Sequence, residues 1–211
     1  MKLSVGIDEA GRGCVIGPMV VAVVAADEAD RRWFWKRNVR DSKLVPPPQR
    51  MKLAKEIRER CWFSLKIISP AEVDRAVRDR SRTLNGLELE QMGECLQDAL
   101  SEFPEREAYA VVDAPSINAQ GFLEKLLMHS GWPDMDRLIA KHRADKRDRT
   151  VGAASILAKD ERERLIAKLK QRLGCDFGSG YCHDERTRLH LKTVPARAPH
   201  VRWTWKTVND L

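Results

Sequence analysis

Short runs of apolar, largely β-branched residues recur along the chain, each bounded by polar or turn residues. The four clearest cover residues 5–7, 19–26, 62–68 and 109–112. Runs of this length and composition are typical of strands in a buried sheet. The pattern therefore predicts four strands of one central sheet.

Between and after these runs, apolar residues return at helical spacing. Ser69, Pro70 and Glu72 form a capping-box start with proline at the first helical position, which predicts a helix from that point. Residues 84–100 and 152–173 predict two longer amphipathic helices, the second with its lysines and arginines facing out. The inward-facing residues are expected to be Leu84, Leu87, Met92, Cys95, Leu96 and Ala99, and in the second helix Ile156, Leu157, Leu165, Ile166 and Leu169. Strands followed by helices indicate an α/β fold.

Two proline clusters, at residues 46–48 and 195–199, interrupt this order and predict breaks between elements. The second precedes a basic segment that holds Trp203 and Trp205. These rings could stack on nucleic-acid bases, but tryptophans near a chain end more often hold that end against the core, and we favour that interpretation. We expect no clamp-binding tail after them.

Length, charge and cysteine usage narrow the class of protein. The 211 residues suffice for one sizeable core, and 38 Lys and Arg against 31 Asp and Glu favour a polyanionic partner. Five scattered cysteines without a CxxC pair indicate reduced thiols. The apolar run at residues 19–26 is much shorter than the roughly 20 residues of a membrane helix. We therefore expect a soluble, cytoplasmic protein without a membrane partner.

Acidic residues follow the predicted strands. Asp8 and Glu9 end the first strand, Asp113 ends the fourth, and Asp145 lies in a polar loop before the long helix, with Asp148 as its alternative. Hydrolysis of a phosphodiester needs a nucleophilic water, a stabilised phosphate and an activated leaving oxygen, and carboxylates that hold two Mg²⁺ ions supply all three. Because neighbouring strand residues point to opposite faces, a turn at Ala10-Gly11 is needed to bring Asp8 and Glu9 near one cation.

Each acid alone is more often a solvated strand end or the start of a turn, but the combination favours a metal-dependent nuclease. The glycines of residues 11–17 also suggest a dinucleotide-binding loop. Their spacing is G-x-G-x-x-x-G, however, and the preceding carboxylates would repel a pyrophosphate. We expect Gly11 and Gly13 to let backbone amides approach a nucleic acid, and Arg12 to offer a phosphate a charged fork.

Six motifs carry a resemblance to a known family. They are GIDEAGRG at residues 6–13, DSK at 41–43, VDAP at 112–115, HRAD at 142–145, AASILAK at 153–159 and GSGY at 178–181. In this order they resemble ribonuclease HII, the type 2 ribonucleases H, in a pattern nearest to archaeal members. The resemblance implies an RNase H-like mixed sheet flanked by helices. It also implies a catalytic domain at residues 1–172 and a small helical C-terminal segment, residues 173–211, that carries Tyr181.

The resemblance implies roles for individual residues. The catalytic, metal-binding carboxylates would be Asp8, Glu9, Asp113 and Asp145, with two Mg²⁺ or Mn²⁺ ions during catalysis. Substrate contacts would come from Gly11, Arg12, Gly13, Lys43, Ser155, Lys159 and Tyr181. Backbone groups of the glycine loop and the tyrosine hydroxyl would contact the 2′-hydroxyl, which locally distinguishes a ribonucleotide from a deoxyribonucleotide. The two lysines would contact phosphates.

The implied function is an endonuclease that hydrolyses the RNA strand of RNA/DNA hybrids. It would also cut on the 5′ side of ribonucleotides embedded in duplex DNA, leaving a 3′-hydroxyl and a 5′-phosphate, in ribonucleotide excision repair. A monomer is the default. One alternative is ribonuclease HIII, which shares parts of these motifs but is expected to carry an extra N-terminal domain. A non-catalytic nucleic-acid-binding module is the other; it would explain the charge but not the four carboxylates.

Two positions depart from the family pattern. Cys14 and Cys182 stand where proline is usual, which frees the backbone angle φ in loops that should be rigid. We therefore expect a looser preference for RNA-to-DNA junctions. A metal site built from Cys175, Cys182, His183 and His190 is disfavoured, because the spacing fits no standard zinc pattern. The basic run at residues 141–149 lies next to Asp145 and is expected to contact the substrate.

Overall fold

The computed structural model describes residues 2–79, 82–104, 106–115 and 118–209, which form a five-stranded mixed sheet flanked by helices. The strands are β1 (Leu3–Ala10), β2 (Met19–Ala26), β3 (Trp62–Ile68), β4 (Ala108–Asp113) and β5 (Leu138–Lys141), in the order β3-β2-β1-β4-β5. The first three pair antiparallel, whereas β1, β4 and β5 run parallel. The four predicted strands are all present, and the predicted α/β fold with a mixed sheet is confirmed.

The described residues form eight α-helices. They are α1 (Glu28–Lys36), α2 (Pro47–Arg60), α3 (Pro70–Arg78), α4 (Leu84–Glu102), α5 (Ala119–Ser130), α6 (Arg149–Leu173), α7 (Glu185–Thr193) and α8 (Lys206–Asn209). The predicted capping box of α3 is confirmed, since Ser69 and Glu72 each accept a hydrogen bond from the other's backbone. In the described ranges, none of these helices combines the length and apolar character that crossing a membrane requires.

Apolar side chains of β2 alternate between two cores, so that both faces of the sheet are covered. Val21 and Val23 pack in the core under α4 and α5, whereas Val20, Ala22 and Val24 pack with α2 and α6. The expected inward face of α4 is confirmed, and so is that of α6. Burial on both faces explains the uninterrupted apolar sequence of β2.

Helix α6 lies directly against β1, and a glycine makes this approach possible. A side-chain carbon at Gly6 would collide with the backbone of Thr150 and Val151. The Ser4 and Thr150 hydroxyls hydrogen-bond in the same contact, at 2.9 Å. This packing fixes the first turns of α6 beside the end of β1, where Asp8 lies.

One sequence expectation about these helices is wrong, and another is confirmed. Arg162 does not face the solvent with the other basic residues of α6 but is 2% exposed. The prolines at residues 46–48 do mark a break between elements, because Pro46 is the N-cap of α2 and Pro47 its first residue. Proline suits that position, where its missing N–H would have no helical partner.

The segment after α6 packs against the loop that follows β1. Ile16 and Val201 form an isolated antiparallel bridge within an apolar cluster whose members come from both sides of the predicted boundary at residue 172. The Trp203 ring donates its Nε1–H to the Ala198 carbonyl at 3.1 Å, and its backbone N–H donates to Asp74 at 2.8 Å. These contacts support the interpretation that Trp203 holds the segment against the core.

Candidate active site

Three carboxylates meet at one edge of the sheet. Side-chain oxygens of Asp8, Asp113 and Asp145 all lie within 4.8 Å of one another. The strands β1 and β4 are parallel neighbours, with Ile7 paired to Val112, so the next residue of each strand emerges at the same edge. The third acid comes from a short 3₁₀ helix, Ala144–Lys146, that follows β5. Three separate elements therefore build this aspartate group.

Asp145, and not Asp148, completes the group. Asp145 is buried, whereas Asp148 is the N-cap of α6 and accepts hydrogen bonds from two backbone N–H groups of the first turn. The backbone N–H of Ala144 donates to Asp113 at 2.8 Å and joins the 3₁₀ helix to β4. The two acids that the sequence left as alternatives therefore have different places: Asp145 belongs to the aspartate group, and Asp148 caps α6.

Burial and mutual repulsion oppose negative charge on the three aspartates. The pKa of Asp8 rises to about 8, because the residue is buried and lies beside Asp113 and Asp145. Burial, with Asp41 as the next cause, raises the pKa of Asp145 to about 6, and burial also raises the pKa of Asp113. A divalent cation among them would offset this repulsion, and carboxylate oxygens suit Mg²⁺ and Mn²⁺. The donor set therefore fits the expected cofactor.

Glu9 lies beside the aspartate group but is not a member of it. The chain stays extended through Ala10, and the turn expected at Ala10-Gly11 begins at Gly11, whose carbonyl accepts a hydrogen bond from the Cys14 N–H at 3.3 Å. The Glu9 Oε2 atom is buried and has no hydrogen-bond partner among the described residues. Burial, followed by repulsion from Asp8 and Glu88, raises the pKa of Glu9 well above its usual value. An unsatisfied buried acceptor in this position fits a second cation.

One cavity of about 310 Å³ contains these acids together with the other expected site residues. Its lining consists of Asp8, Glu9, Ala10, Gly11, Arg12, Gly13, Ser42, Lys43, Asp113, Asp145, Ser155, Lys159 and Tyr181. All 11 residues that the sequence and its resemblance assigned to the site are therefore in one place, and their roles stay predictions.

Asp41 and Ser42 support the acids, and sequence reasoning assigned neither of them a role. Asp41 is buried beside Asp145 and helps to raise the pKa of that acid, after burial itself. The Ser155 hydroxyl donates to the Ser42 hydroxyl at 3.0 Å and also contacts the carboxylate of Asp8. The DSK motif at residues 41–43 was the signal for this support.

The Arg12 side chain is held by α4 and does not offer a free fork to a phosphate, which corrects that expectation. Its Nε donates to Glu88 at 3.0 Å, and its Nη2 donates to Asn85 at 2.6 Å. The Glu88 side chain is fully buried, so this pair lies partly within the protein. Arg12 therefore attaches the glycine loop to α4.

The two glycines beside Arg12 serve different purposes. Gly11 has a φ of +88°, and a side-chain carbon there would overlap the side chain of Arg162. Internal packing alone thus requires glycine at residue 11. At Gly13, an added side-chain carbon would meet nothing within 4 Å. Of the two glycines, Gly13 is the one with open space beside it, which a nucleic-acid strand could occupy.

Two buried arginines hold the glycine loop and the loop that carries Tyr181. The Arg162 Nη2 donates to the Ser179 carbonyl at 3.3 Å, and its guanidinium carbon lies 5.1 Å from the centre of the Tyr181 ring. The Arg202 Nη1 donates to the Arg12 carbonyl at 2.8 Å, and burial lowers the pKa of Arg202 to about 10. Sequence reasoning missed both, because a basic residue carries no local signal of burial.

The Tyr181 hydroxyl contacts the thiol of Cys14, which is buried. Burial, followed by this contact, raises the pKa of Tyr181 well above its usual value, so the phenol keeps its proton and can donate it. The thiol of Cys182 donates to Thr207 at 3.0 Å. Both cysteines that replace the family's prolines therefore form side-chain hydrogen bonds.

Two lysines contribute positive charge to the cavity wall. Burial raises the pKa values of Asp113 and Asp145, and the ammonium group of Lys43 opposes that rise. Lys159 pairs with Glu163 at 3.4 Å, and burial lowers the pKa of Lys159. Their places fit the expected phosphate contacts.

The alternative cysteine and histidine set does not assemble. The Cys175 sulfur lies 3.7 Å from Nδ1 of His190, whose Nε2 lies 3.0 Å from Nε2 of His200. Within the part of the chain that the structure describes, the aspartate group is the one cluster of three or more metal-binding side chains.

Comparison with known proteins agrees with this geometry. Residues 5–208 match the profile of the Ribonuclease HII family. A ribonuclease HII from Archaeoglobus fulgidus is 42% identical over 212 residues, which cover 99% of this chain and 96% of that protein. The solved structure of the PCNA:RNase HII complex from Archaeoglobus fulgidus matches with a TM-score of 0.83 and 38% identity, over 97% of this chain and 95% of the other.

A more distant structure shares the fold alone. Bst-RNase HIII in complex with Mn²⁺ gives a TM-score of 0.84 at 17% identity, over 98% of this chain but 68% of that chain. Sequence identity thus favours the first expected family over its HIII alternative.

Proposed function

This chain belongs to the ribonuclease HII family, and from that premise we propose that its acidic cavity also cleaves single ribonucleotides embedded in duplex DNA. As a family member it is a ribonuclease H, an endonuclease that acts on RNA/DNA hybrids. One observation carries the proposal: the aspartate group shares its cavity with Gly13 and Tyr181. Groups suited to hydrolysis therefore lie beside groups that can contact a 2′-hydroxyl.

The proposed cofactor is a pair of Mg²⁺ or Mn²⁺ ions, held by Asp8, Glu9, Asp113 and Asp145. Bound divalent ions would neutralise charge and polarise water and phosphate oxygens. The unsatisfied Glu9 oxygen and the raised pKa values of the aspartates support this, because nearby positive charge would stabilise both. Ser155 would orient Asp8, and Asp41 would orient Asp145, through the contacts described above.

Tyr181 and backbone groups at Gly13 would recognise the 2′-hydroxyl. That group both donates and accepts, and a protonated phenol can answer both roles. Tyr181 would also contact the deoxyribose that follows, while Lys43 and Lys159 hold phosphates. The cut on the 5′ side of the ribonucleotide would leave a 3′-hydroxyl and a 5′-phosphate. The segment at residues 173–211 would act as the recognition half of a monomeric, cytoplasmic repair nuclease.

The test uses duplexes with no ribonucleotide, with one, and with a run of four or more, each in Mg²⁺, Mn²⁺ or EDTA. We expect products only from strands that contain ribonucleotides and only with a divalent ion. Asp8→Asn and Asp113→Asn should abolish cleavage but keep binding. The control is Asp136→Asn. Asp136 is exposed and lies just before β5, at the end of that strand away from the aspartate group, so this variant should cleave normally. Binding without any metal-dependent product would favour the non-catalytic module, and full activity in both variants would refute the site.

A further inference from the structure

An exposed tryptophan lies on α1, next to the first turn of α6. Trp35 is 69% exposed, although large aromatic side chains are usually covered. The guanidinium carbon of Arg149 lies 4.6 Å from the centre of the Trp35 ring, and its Nη1 donates to the Val39 carbonyl at 2.7 Å. Arg149 therefore supports one side of the ring while most of its surface remains accessible.

This pair lies close to the aspartate group. Val39 precedes Asp41 by two residues, and Asp41 lies against Asp145. Along α6, Arg149 precedes Ser155 by six residues, and the Ser155 hydroxyl contacts the Asp8 carboxylate. At the rise of an α-helix, six residues are about 9 Å. A nucleic acid in the cavity is thus within a few nucleotides of Trp35.

Tyr181 lies in the opposite direction. Lys159 follows Ser155 by four residues, about 6 Å further along the helix, and its ammonium nitrogen lies 5.8 Å from the centre of the Tyr181 ring. Along the axis of α6, the contact with the acids therefore lies between Tyr181 and Trp35.

The chain segments that join Trp35 and Arg149 to the aspartate group are basic. Exposed cationic residues occur in the segment between α1 and α2 and just before α6, namely Arg40, Lys43, Lys146 and Arg147. Lysines and arginines gain affinity for phosphates by releasing counterions, and an accessible aromatic ring adds contact with sugars or bases. The combination fits a nucleic acid better than an acidic peptide, which would not need the ring.

We propose that Trp35 and Arg149 form an additional contact surface for duplex nucleic acid, on the flank that lies 5′ of the ribonucleotide. The inference rests on the proposed function, in which Tyr181 contacts the ribonucleotide and the deoxyribose on its 3′ side. Trp35 packs against the sugars of the 5′ flank, and Arg149 contributes positive charge to the same segment.

The test measures binding and cleavage of labelled duplexes that hold one ribonucleotide. Trp35→Ala and Arg149→Gln should each weaken binding at least about fivefold, and KM should rise by a larger factor than kcat falls. Arg149→Gln should also lower the slope of log affinity against log salt by about one. Met128→Ala, a control at an 85% exposed residue of α5 on the opposite face of the sheet, should change neither quantity.

Trimming the duplex locates the contact. A 5′ flank of about two base pairs, at roughly 3.4 Å each, is shorter than the path to Trp35 and should abolish the difference between Trp35→Ala and the unmodified protein. The same trimming on the 3′ side should preserve it. Unchanged affinity in both variants, or a sensitivity that follows the 3′ flank, would overturn the proposal. Failure of the proposed function is visible separately, because the unmodified protein would then leave the ribonucleotide uncut.

Discussion

Arg162 and Tyr181 form a cation–π pair in which the guanidinium carbon lies 5.1 Å from the ring centre. The same arginine packs against Gly11 and donates to the Ser179 carbonyl. One buried side chain therefore touches both loops that would contact the 2′-hydroxyl, and it sets the distance between them.

Arg162→Met tests this relationship, because it removes the hydrogen bonds but keeps much of the buried volume. We expect cleavage at a single ribonucleotide to fall at least about tenfold relative to cleavage within a run of ribonucleotides, with about 1–3 kcal/mol lost from the free energy of unfolding. The control is Arg164→Met, a more exposed arginine of the same helix, which should change little. An equal loss on both substrates would show a general structural role instead.

The two glycines beside Arg12 should respond oppositely to alanine. Gly11→Ala should destabilise the protein by about 2 kcal/mol or more, because of its positive φ and its overlap with Arg162. Gly13→Ala should keep the melting temperature but reduce cleavage, since the space it fills is the space proposed for the substrate. Thermal denaturation and initial rates measure the two effects. Full activity in a stable Gly13→Ala variant would contradict close approach at this residue.

The ion pair of Arg12 with Glu88 predicts a matching effect of two substitutions. Arg12→Met and Glu88→Gln should impair cleavage to a similar degree, because each releases the glycine loop from α4. Neither should change the salt dependence of binding, whereas Lys43→Met should lower its slope by about one. If Arg12→Met lowered the slope of log affinity against log salt, Arg12 would contact a phosphate, as the sequence suggested.

Stability without divalent ions should depend on pH. The pKa of Asp8 rises from 3.8 to about 8 on folding, so between these values the folded state binds more protons than the unfolded state. Stability must then decrease as the pH rises through this window. In EDTA, the melting temperature should fall between about pH 4 and pH 8, and Asp8→Asn should lose much of that decline. Mn²⁺ should raise the melting temperature most near pH 8. A melting temperature in EDTA that stays constant over this pH range would refute the raised pKa of Asp8.

Much of the sheet could be predicted from local signals. The apolar runs of β2 and β3 stop where they meet charged or turn residues, so their bounds were found. By contrast, β5 has only four residues, which is too short for a pattern to emerge. Helix α1 carries five charged residues among nine, and α2 begins at prolines that equally suit a loop.

The site was predictable in its members but not in its supports. Motif order brought Asp8, Asp113 and Tyr181 together correctly in one cavity. The burial of Arg162 depends on space left by glycines far away in the chain, which no local pattern can reveal. Asp145 and Asp148 lie in one polar stretch, and only the start of α6 decides which of them caps the helix.

The hydrogen bond from Arg202 to the Arg12 carbonyl joins residues 190 positions apart, and Val201 pairs with Ile16 nearby. Such distant contacts form late, because a long loop must close before they contribute any stability. During synthesis, when the N-terminal part emerges first, the sheet and its aspartates can assemble while the glycine loop still lacks these partners. A chain whose translation stops before residue 201 therefore carries every proposed catalytic acid but lacks the contacts that order its glycine loop.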